Sequence, residues 1–291
     1  MEARRALVLM TDFGLHDRFV ASMKGVAYSI DPGLKIFDLT HQVRPYAMEE
    51  AAEILAGTIP YWPAETVFVV VVDPGVGTSR KSLAVQLKND QIIITPDNGT
   101  ITCMFDQPGI AEIRIIDENI HRREGADSHH TFHGRDIYAY NGARLASGII
   151  SMQELGTIFK GTPVRLDLAK PDEQIDRITG YITKIEKPYG NLSTNISEGI
   201  FLNRGWDFEH DKMLKCSLTH NEKIVFDAVL PLVKSFGWAG LHKGLIYSDS
   251  VGKIGLAINQ GNMAKKYKIQ SGQRWQVSFT DEIERCDIEE W

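Results

Sequence analysis

Asp12, Asp73 and Asp97 each follow a short, continuous apolar run. ALVLM precedes Thr11-Asp12-Phe13-Gly14, TVFVVVV precedes Asp73-Pro74-Gly75-Val76-Gly77-Thr78-Ser79-Arg80, and QIIIT precedes Pro96-Asp97-Asn98-Gly99. Runs of this length and composition read as buried strands, and in an open α/β sheet ligands bind beyond the carboxyl ends of the strands. Each aspartate alone has an ordinary explanation, because Asp, Gly and Pro build turns for backbone reasons. Three of them at strand ends weaken that explanation. In the second loop an acid is followed seven residues later by Arg80, across a glycine-rich stretch that lets the chain fold back into an ion pair lining a pocket. The loop lacks both G-x-x-x-x-G-K-[ST] and G-x-G-x-x-G, so neither a nucleoside triphosphate nor a dinucleotide is indicated.

The segment Ser128-His129-His130-Thr131-Phe132-His133-Gly134-Arg135-Asp136 is dense in titratable groups. His129 and His133 stand four apart and would share one face of a helix, as two metal ligands do. No HExxH accompanies them, and Gly134 argues against a helix interior, so no metal is expected. The plain reading is a solvated loop followed by a helix from about Arg135.

The elements that must position these residues alternate in the first half. Strands are expected over Ala6–Met10, Lys35–Leu39, Thr66–Val72, Ser82–Leu87 and Gln91–Thr95. Helices are expected from about Asp17, where Val20, Met23, Ala27 and Ile30 recur at helical spacing, and over Ala47–Thr58, with Glu49 and Glu50 near its start. Strands alternating with helices predict a mostly parallel sheet covered on both faces, an α/β class. The texture changes at Lys170-Pro171-Asp172-Glu173. Short β-like runs follow at 178–185, 223–230, 244–247, 253–258 and 275–279, separated by turn signals. The expected division is therefore an α/β domain over 1–170 and a small β domain over 174–291.

Totals exclude several classes. Lys plus Arg is 32 and Asp plus Glu 38, a net charge of −6 that gives no support to nucleic-acid or anionic-membrane binding. The 291 residues contain no apolar run of membrane-spanning length. Met1-Glu-Ala-Arg-Arg is not followed by the apolar stretch of a secretory signal. The three cysteines, Cys103, Cys216 and Cys286, are far apart, with no CxxC pair, so neither a disulfide framework nor a zinc ribbon is expected. The expectation is a soluble, cytoplasmic protein.

Together the motifs resemble one family, the SAM hydroxide adenosyltransferases (adenosine-forming hydrolases of S-adenosyl-L-methionine, SAM), relatives of the fluorinase and chlorinase enzymes. The resemblance runs through TDFGLHDRFVASMKG (11–25), DLTHQVRPY (38–46), VVDPGVGTSR (71–80), PDNGTI (96–101), TFHGRD (131–136), PYGNLSTNI (188–196) and IGLAINQGN (254–262). It implies a Rossmann-like N-terminal domain and a small C-terminal β-barrel domain. It also implies a homotrimer whose active sites lie between the N-terminal domain of one subunit and the C-terminal domain of the next. SAM would be the substrate, adenosine a product, and no cofactor would be needed.

The resemblance carries site residues one at a time. Asp12 matches the carboxylate that holds both ribose hydroxyls, a use of charge-assisted bonds. Tyr46 matches an aromatic against the ribose and Phe132 a pocket wall. Asn191 matches the amide that reads adenine, offering a donor and an acceptor together. Glu186 and Ser250 match positions that hold the ammonium and carboxylate of methionine. Asn259 and the Gln260 backbone fall in the adenine-contacting segment, and Asp17 matches a polar position near the substrate. Two departures stand out. Glu186 replaces the usual Asp with one more methylene, and Val251 and Ile258 stand where the fluorinase branch carries Arg.

For the reaction, the family resemblance names Asp73, Arg80 and His133. The sulfonium of SAM leaves as a neutral thioether and needs no acid; the demand is an oriented, partly deprotonated water. Arg80, permanently charged, would stabilise developing hydroxide, Asp73 would hold Arg80 or take the proton, and His133 would relay it. Three other readings are distinguishable. A halogenase would lack this charged set and carry an insertion after the strand at 82–87, where this chain has only Lys88-Asn89-Asp90. A non-catalytic SAM- or adenosine-binding protein would keep Asp12 and Asn191 but not need Asp73 and His133. A metal-dependent hydrolase built on His129 and His133 would be sensitive to chelators.

Overall fold

A computed structural model describes residues 5–126, 131–209 and 212–281. The chain is mixed α/β with two sheets, in two compact units that divide between Asp167 and Leu168.

The first unit runs β1 (Leu7–Thr11), α1 (Phe19–Ile30), β2 (Ile36–Thr40), α2 (Met48–Thr58), β3 (Val67–Val71), β4 (Ser82–Leu87), β5 (Ile92–Pro96), β6 (Ile110–Ile115) and α3 (Tyr140–Ala146). Its six-stranded sheet has the order β2-β1-β3-β5-β4-β6. β2, β1, β3 and β5 pair in parallel, while β4 is antiparallel to both β5 and β6. The cause lies in the connection. Lys88–Asp90 is too short for the crossover that parallel pairing needs, and Asp90 takes φ +64° to turn the chain into a hairpin.

Alternate residues of the central strands feed two cores. Leu7, Leu9, Val67, Val69 and Ile94 pack with Met23 and Ala27 of α1 and Ala143 of α3 on one face; Val8, Met10, Phe68, Val70 and Ile93 pack with Ala51 and Leu55 of α2 on the other. Burial of both faces is why these strands read as continuous apolar runs rather than alternating ones. α3 lies close on the sheet: a Cβ at Gly142 would stand 2.4 Å from Val69 Cγ2. α1 begins at Phe19, so Asp17 lies before the helix and not in its first turn.

The second unit runs β7 (Asp172–Glu173), β8 (Arg177–Glu186), β9 (Asn191–Ser197), α4 (Glu198–Asn203), β10 (Met213–His220), β11 (Lys223–Pro231), β12 (Gly244–Ser248), β13 (Lys253–Ile258), α5 (Met263–Tyr267) and β14 (Gly272–Asp281). Its antiparallel sheet has the order β11-β10-β14-β8-β9-β13-β12, with β7 on β8. A bridge between Leu232, just past β11, and Ile246 of β12 brings the two edges together, giving a nearly closed, barrel-like sheet. Its interior holds Ile178, Leu192, Phe201, Trp206, Leu218 and Phe279.

Candidate active site

β3 delivers Asp73 at the carboxyl end of a central parallel strand. The following loop turns tightly, with Gly75 N–H donating to Asp73 Oδ1 at 3.2 Å and Thr78 N–H to Gly75 O at 3.2 Å. This returns Arg80 to Asp73 as a two-point fork: Nη2 to Oδ2 at 2.6 Å and Nε to Oδ1 at 3.1 Å. The two side chains are 9% and 4% exposed, so the pair is screened little by solvent. Burial raises the Asp73 carboxyl above its ordinary 3.8, and Arg80 opposes that rise. The neighbouring PDNG loop is tied to the same strand end, since Asn98 Nδ2 donates to Val72 O at 2.6 Å. Asp97 itself accepts from Val164 N–H at 2.8 Å and serves as a loop anchor.

His133 caps a π-helical turn, Gly134–Ala139, that leads into α3. Its ring lies between two guanidiniums: Nδ1 is 3.5 Å from Arg80 Nη2, and Nε2 is 3.5 Å from Arg122 Nη2. Glu118 Oε2 lies 3.7 Å from Nδ1. Burial pushes the imidazole below its ordinary 6.5. Glu118 and Asp73 pull it up, and Arg122 and Arg80 push it down. At neutral pH the ring is therefore uncharged and keeps a lone pair.

Ser82, at the start of β4, stitches the set together. Its hydroxyl donates to Glu118 Oε1 at 2.6 Å, accepts from Arg80 Nη1 at 3.1 Å and lies 3.0 Å from Tyr138 Oη. With its single proton given to Glu118, Ser82 accepts from Tyr138, whose phenol burial holds far above its usual range. The first unit thus brings Asp73, Arg80 and His133 together, and adds Ser82, Glu118, Arg122 and Tyr138, which sequence reasoning missed. Glu118 and Arg122 follow β6, a strand that was not expected. Its alternating I-A-E-I-R-I pattern was the available signal, and its two charges pair with each other (Arg114 Nε to Glu112 Oε1, 2.6 Å).

Asp12 and Tyr46 also meet: Tyr46 N–H donates to Asp12 Oδ2 at 2.9 Å. Tyr46 sits at φ +66°, a left-handed conformation that costs a non-glycine residue energy and clusters at ligand sites. Burial raises the Asp12 carboxyl, and the bond from Tyr46 opposes it. The loop is fixed from behind, with Thr11 Oγ1 2.8 Å from His41 Nδ1 and His41 Nε2 3.0 Å from Asp38 Oδ1. Phe132 joins Phe13 and Phe19 in an aromatic trio, with ring centroids 6.0 and 5.2 Å away. Asp17 is exposed and accepts from the backbone of its neighbour Arg18 at 2.5 Å.

In the second unit Glu186 and Asn191 face each other across the end of the β8–β9 hairpin. Asn191 Nδ2 donates to Glu186 Oε2 at 3.2 Å, and Tyr247 Oη donates to the same oxygen at 3.3 Å. Burial, and then Glu186, raise the Tyr247 phenol. Ser250 is exposed in the turn between β12 and β13. That turn is organised by Asp249, which accepts from Ser193 Oγ at 2.7 Å and from the N–H groups of Val251 and Lys253 at 2.9 Å each. Asn259 is buried, its amide donating to Ala239 O at 2.7 Å. Gln260 is exposed at φ +51°, just past β13.

Among the described residues no group of three or more His, Cys, Asp or Glu is placed to hold a metal ion, and none of the helices is long and apolar enough to cross a membrane. His129, the second ligand of the metal reading, and Cys286 lie outside the described residues.

Comparison with known proteins points to one family over both units. The model of the SAM hydroxide adenosyltransferase N-terminal domain matches residues 7–156, and that of the C-terminal domain matches residues 180–276. The chain is 31% identical to an (R)-S-adenosyl-L-methionine hydrolase of Salinispora tropica, covering 92% of this chain and 95% of that protein. It is 29% identical to a fluorinase of an Actinoplanes species, covering 91% and 95%. A crystal structure of an uncharacterized conserved protein from Thermotoga maritima superposes with a TM-score of 0.86 at 31% identity, covering 94% of this chain and 99% of that one.

Proposed function

The chain belongs to the SAM hydroxide adenosyltransferase family, and on that premise we propose that it hydrolyses SAM to adenosine and L-methionine by attack of water at C5′. The observation that carries the reading is the buried contact set Asp73–Arg80–His133, a fixed ion pair beside a neutral imidazole. In the step, the water oxygen forms a bond to C5′ as the C5′–S bond breaks. The bonding pair goes to sulfur, which leaves as the neutral thioether of methionine. The water proton passes to His133 and then to solvent, and Arg80 stabilises the hydroxide character that develops. Asp73 keeps the guanidinium in place and is spared ionic competition by burial. Donors fixed in a water-poor site act without reorganising as charge moves.

We assign Asp12 to the ribose hydroxyls, with Tyr46 and Phe132 beside the sugar, and Asp17 to the approach of the substrate. In the second unit, Asn191, Asn259 and the Gln260 backbone take the adenine, and Glu186 and Ser250 the methionine end. Asp73 and Glu118 are matched by Arg80 and Arg122, so the set offers a halide no net positive charge, which disfavours the halogenase reading. We further read the first sheet as Rossmann-like, because its parallel strands β2, β1, β3 and β5 carry the ligand loops at their carboxyl ends. The working assembly is a cytoplasmic homotrimer whose sites join unlike units of neighbouring subunits, and no cofactor or metal takes part.

The test is incubation with each sulfonium epimer of SAM in oxygen-18-labelled water, with and without excess chloride; the hydrolase relative is named for the (R) epimer. Adenosine labelled at its 5′ oxygen and insensitive to chloride is expected. Intact SAM despite binding would overturn the proposal in favour of a binding protein, and a 5′-chloro product in favour of a halogenase. Mixing an inactive Asp73→Ala protein with an inactive Glu186→Ala, Asn191→Ala protein should regain activity if sites are shared between subunits.

A further inference from the structure

Arg122 takes no part in the bond-making or bond-breaking of the proposed reaction. It is largely buried, its side chain 12% exposed. Nη2 serves both Glu118 Oε2, at 3.2 Å, and His133 Nε2, at 3.5 Å. Nη1 is buried and has no hydrogen-bond partner among the described residues. A guanidinium kept out of water with one donor idle is expensive, and such groups call for an explanation beyond stability. Its position is also fixed. The next residue, Arg123, donates its backbone N–H to Asp136 O at 2.9 Å and Nε to the fully buried Asp136 Oδ1 at 2.8 Å, which locks this loop to the turn that His133 begins.

The result is an imidazole with a permanent cation against each ring nitrogen, Arg80 at Nδ1 and Arg122 at Nε2. The other groups facing the ring are Glu118 and Asp73, both carboxylates, with Ser82 and Tyr138 behind them as neutral hydroxyls. Asp73 is already neutralised by the fork from Arg80. Glu118 is left as the one acid that would draw a proton onto His133, and Arg122 is the cation paired with it.

We propose that Arg122 is a positioning residue for the reaction: it cancels Glu118 and sets a second positive charge against His133, so that the ring stays neutral and ready to accept the proton of water. The inference rests on His133 being the proton acceptor, but its direct readout does not depend on turnover. Removing the charge acts in one direction through every route. The imidazolium loses a repelling neighbour, Glu118 loses its compensation, and the site becomes wetter, so the ring holds its proton to higher pH.

The experiment is a titration of the His133 ring by NMR in protein labelled at histidine, with the signal assigned by its loss in His133→Gln. Arg122→Gln is expected to raise the His133 midpoint by about one pH unit. Arg122→Met, apolar and of similar reach, gives the same test should the Gln variant fail to fold. Arg122→Lys restores the charge and should return the midpoint close to that of the wild type. In a protein active on SAM, the acid limb of kcat/KM should move with the midpoint in Arg122→Gln and return in Arg122→Lys. An unmoved midpoint in Arg122→Gln or Arg122→Met, or a Lys variant that shifts as far as Gln, overturns the proposal. A shifted midpoint in a protein that leaves SAM intact supports the role of Arg122 and refutes the hydrolase reading instead.

Discussion

The two units hold their polar groups in opposite ways. In the first, charge is tied to charge: Asp73 to Arg80, Glu118 to Arg122, and both guanidiniums to His133, on the loops and the helical turn that lie beyond a sheet backed by two packed cores. In the second, the acids of the site lean mainly on neutral donors: Glu186 on the Asn191 amide and the Tyr247 hydroxyl, with Lys184 Nζ only loosely placed at 3.9 Å from its other oxygen, and Asp249 on the Ser193 hydroxyl and backbone N–H groups. Crossed ion pairs with little solvent are costly to rearrange. Hydrogen bonds from neutral donors to a carboxylate at the end of a hairpin exchange partners for about 2 kcal/mol each. The first arrangement suits a step in which charge moves past fixed groups. The second suits recognition, where an acid and an amide that occupy each other are released to a ligand.

This contrast breaks most sharply at Asp73. Asp73→Asn keeps the shape but leaves Arg80 uncompensated, and kcat should fall about 1,000-fold with KM changed by less than about threefold. A loss carried by KM would mean that the first unit reads the ligand too. The pH dependence follows from the same cluster. His133 must be neutral to act, and its protonated fraction grows as pH falls through its lowered value. Activity is therefore full above the ordinary 6.5 and lost on the acid side of it. An acid limb with its midpoint above 6.5 would contradict the cluster's electrostatics.

Smaller effects test the recognition side. Asp12→Asn should cost about 2 kcal/mol in kcat/KM, because a neutral amide replaces a charge-assisted acceptor of two hydroxyls. Glu186→Gln should raise KM about tenfold and leave kcat in place. The same substitution leaves the Asn191 and Tyr247 contacts an acceptor oxygen, so the fold should persist by thermal melting. A fall in kcat instead would place Glu186 among the groups that act in the transition state and erase the distinction between the units.

The legibility of the molecule follows the same division. β1, β3 and β5 were plain in the sequence because both of their faces are buried, so the apolar runs are continuous. β6 was not expected because Glu112 and Arg114 interrupt it, β9 because most of its residues are polar although they are buried, and β10 because its buried positions alternate with more exposed ones in a barrel wall. The strands at 82–87 and 91–95 depart from the expected mostly parallel sheet, because the three residues between them close a hairpin. Asp73, Arg80 and His133 were legible because motifs hold them. Glu118 and Arg122 were not, because the segment IDENIHRREG holds seven charged or polar side chains among its ten residues and gives no sign of which two turn inward. Burial at a site is a property of the fold, and spacing along the chain does not carry it.

The smallest expected effect separates two asparagines that sequence treats alike. Asn191 and Asn259 were both assigned to adenine, yet their amides are committed differently. Asn191 donates to a carboxylate that can find another partner, whereas Asn259 Nδ2 donates to the Ala239 carbonyl in a buried setting where nothing replaces it. Its backbone is engaged as well, taking His242 N–H on its carbonyl and giving its own N–H to Lys243 O, each at 2.9 Å. Asn259→Ala should therefore strand the Ala239 carbonyl at a cost of about 1–2 kcal/mol and lower Tm by roughly 3–6 °C. If that amide is structural, KM stays within about twofold of the wild type, while Asn191→Ala raises KM about tenfold with a smaller fall in Tm. Should Asn259→Ala raise KM as much as Asn191→Ala, the free Oδ1 of Asn259 reads the ligand. Recognition in the second unit would then extend from the hairpin end into its buried wall.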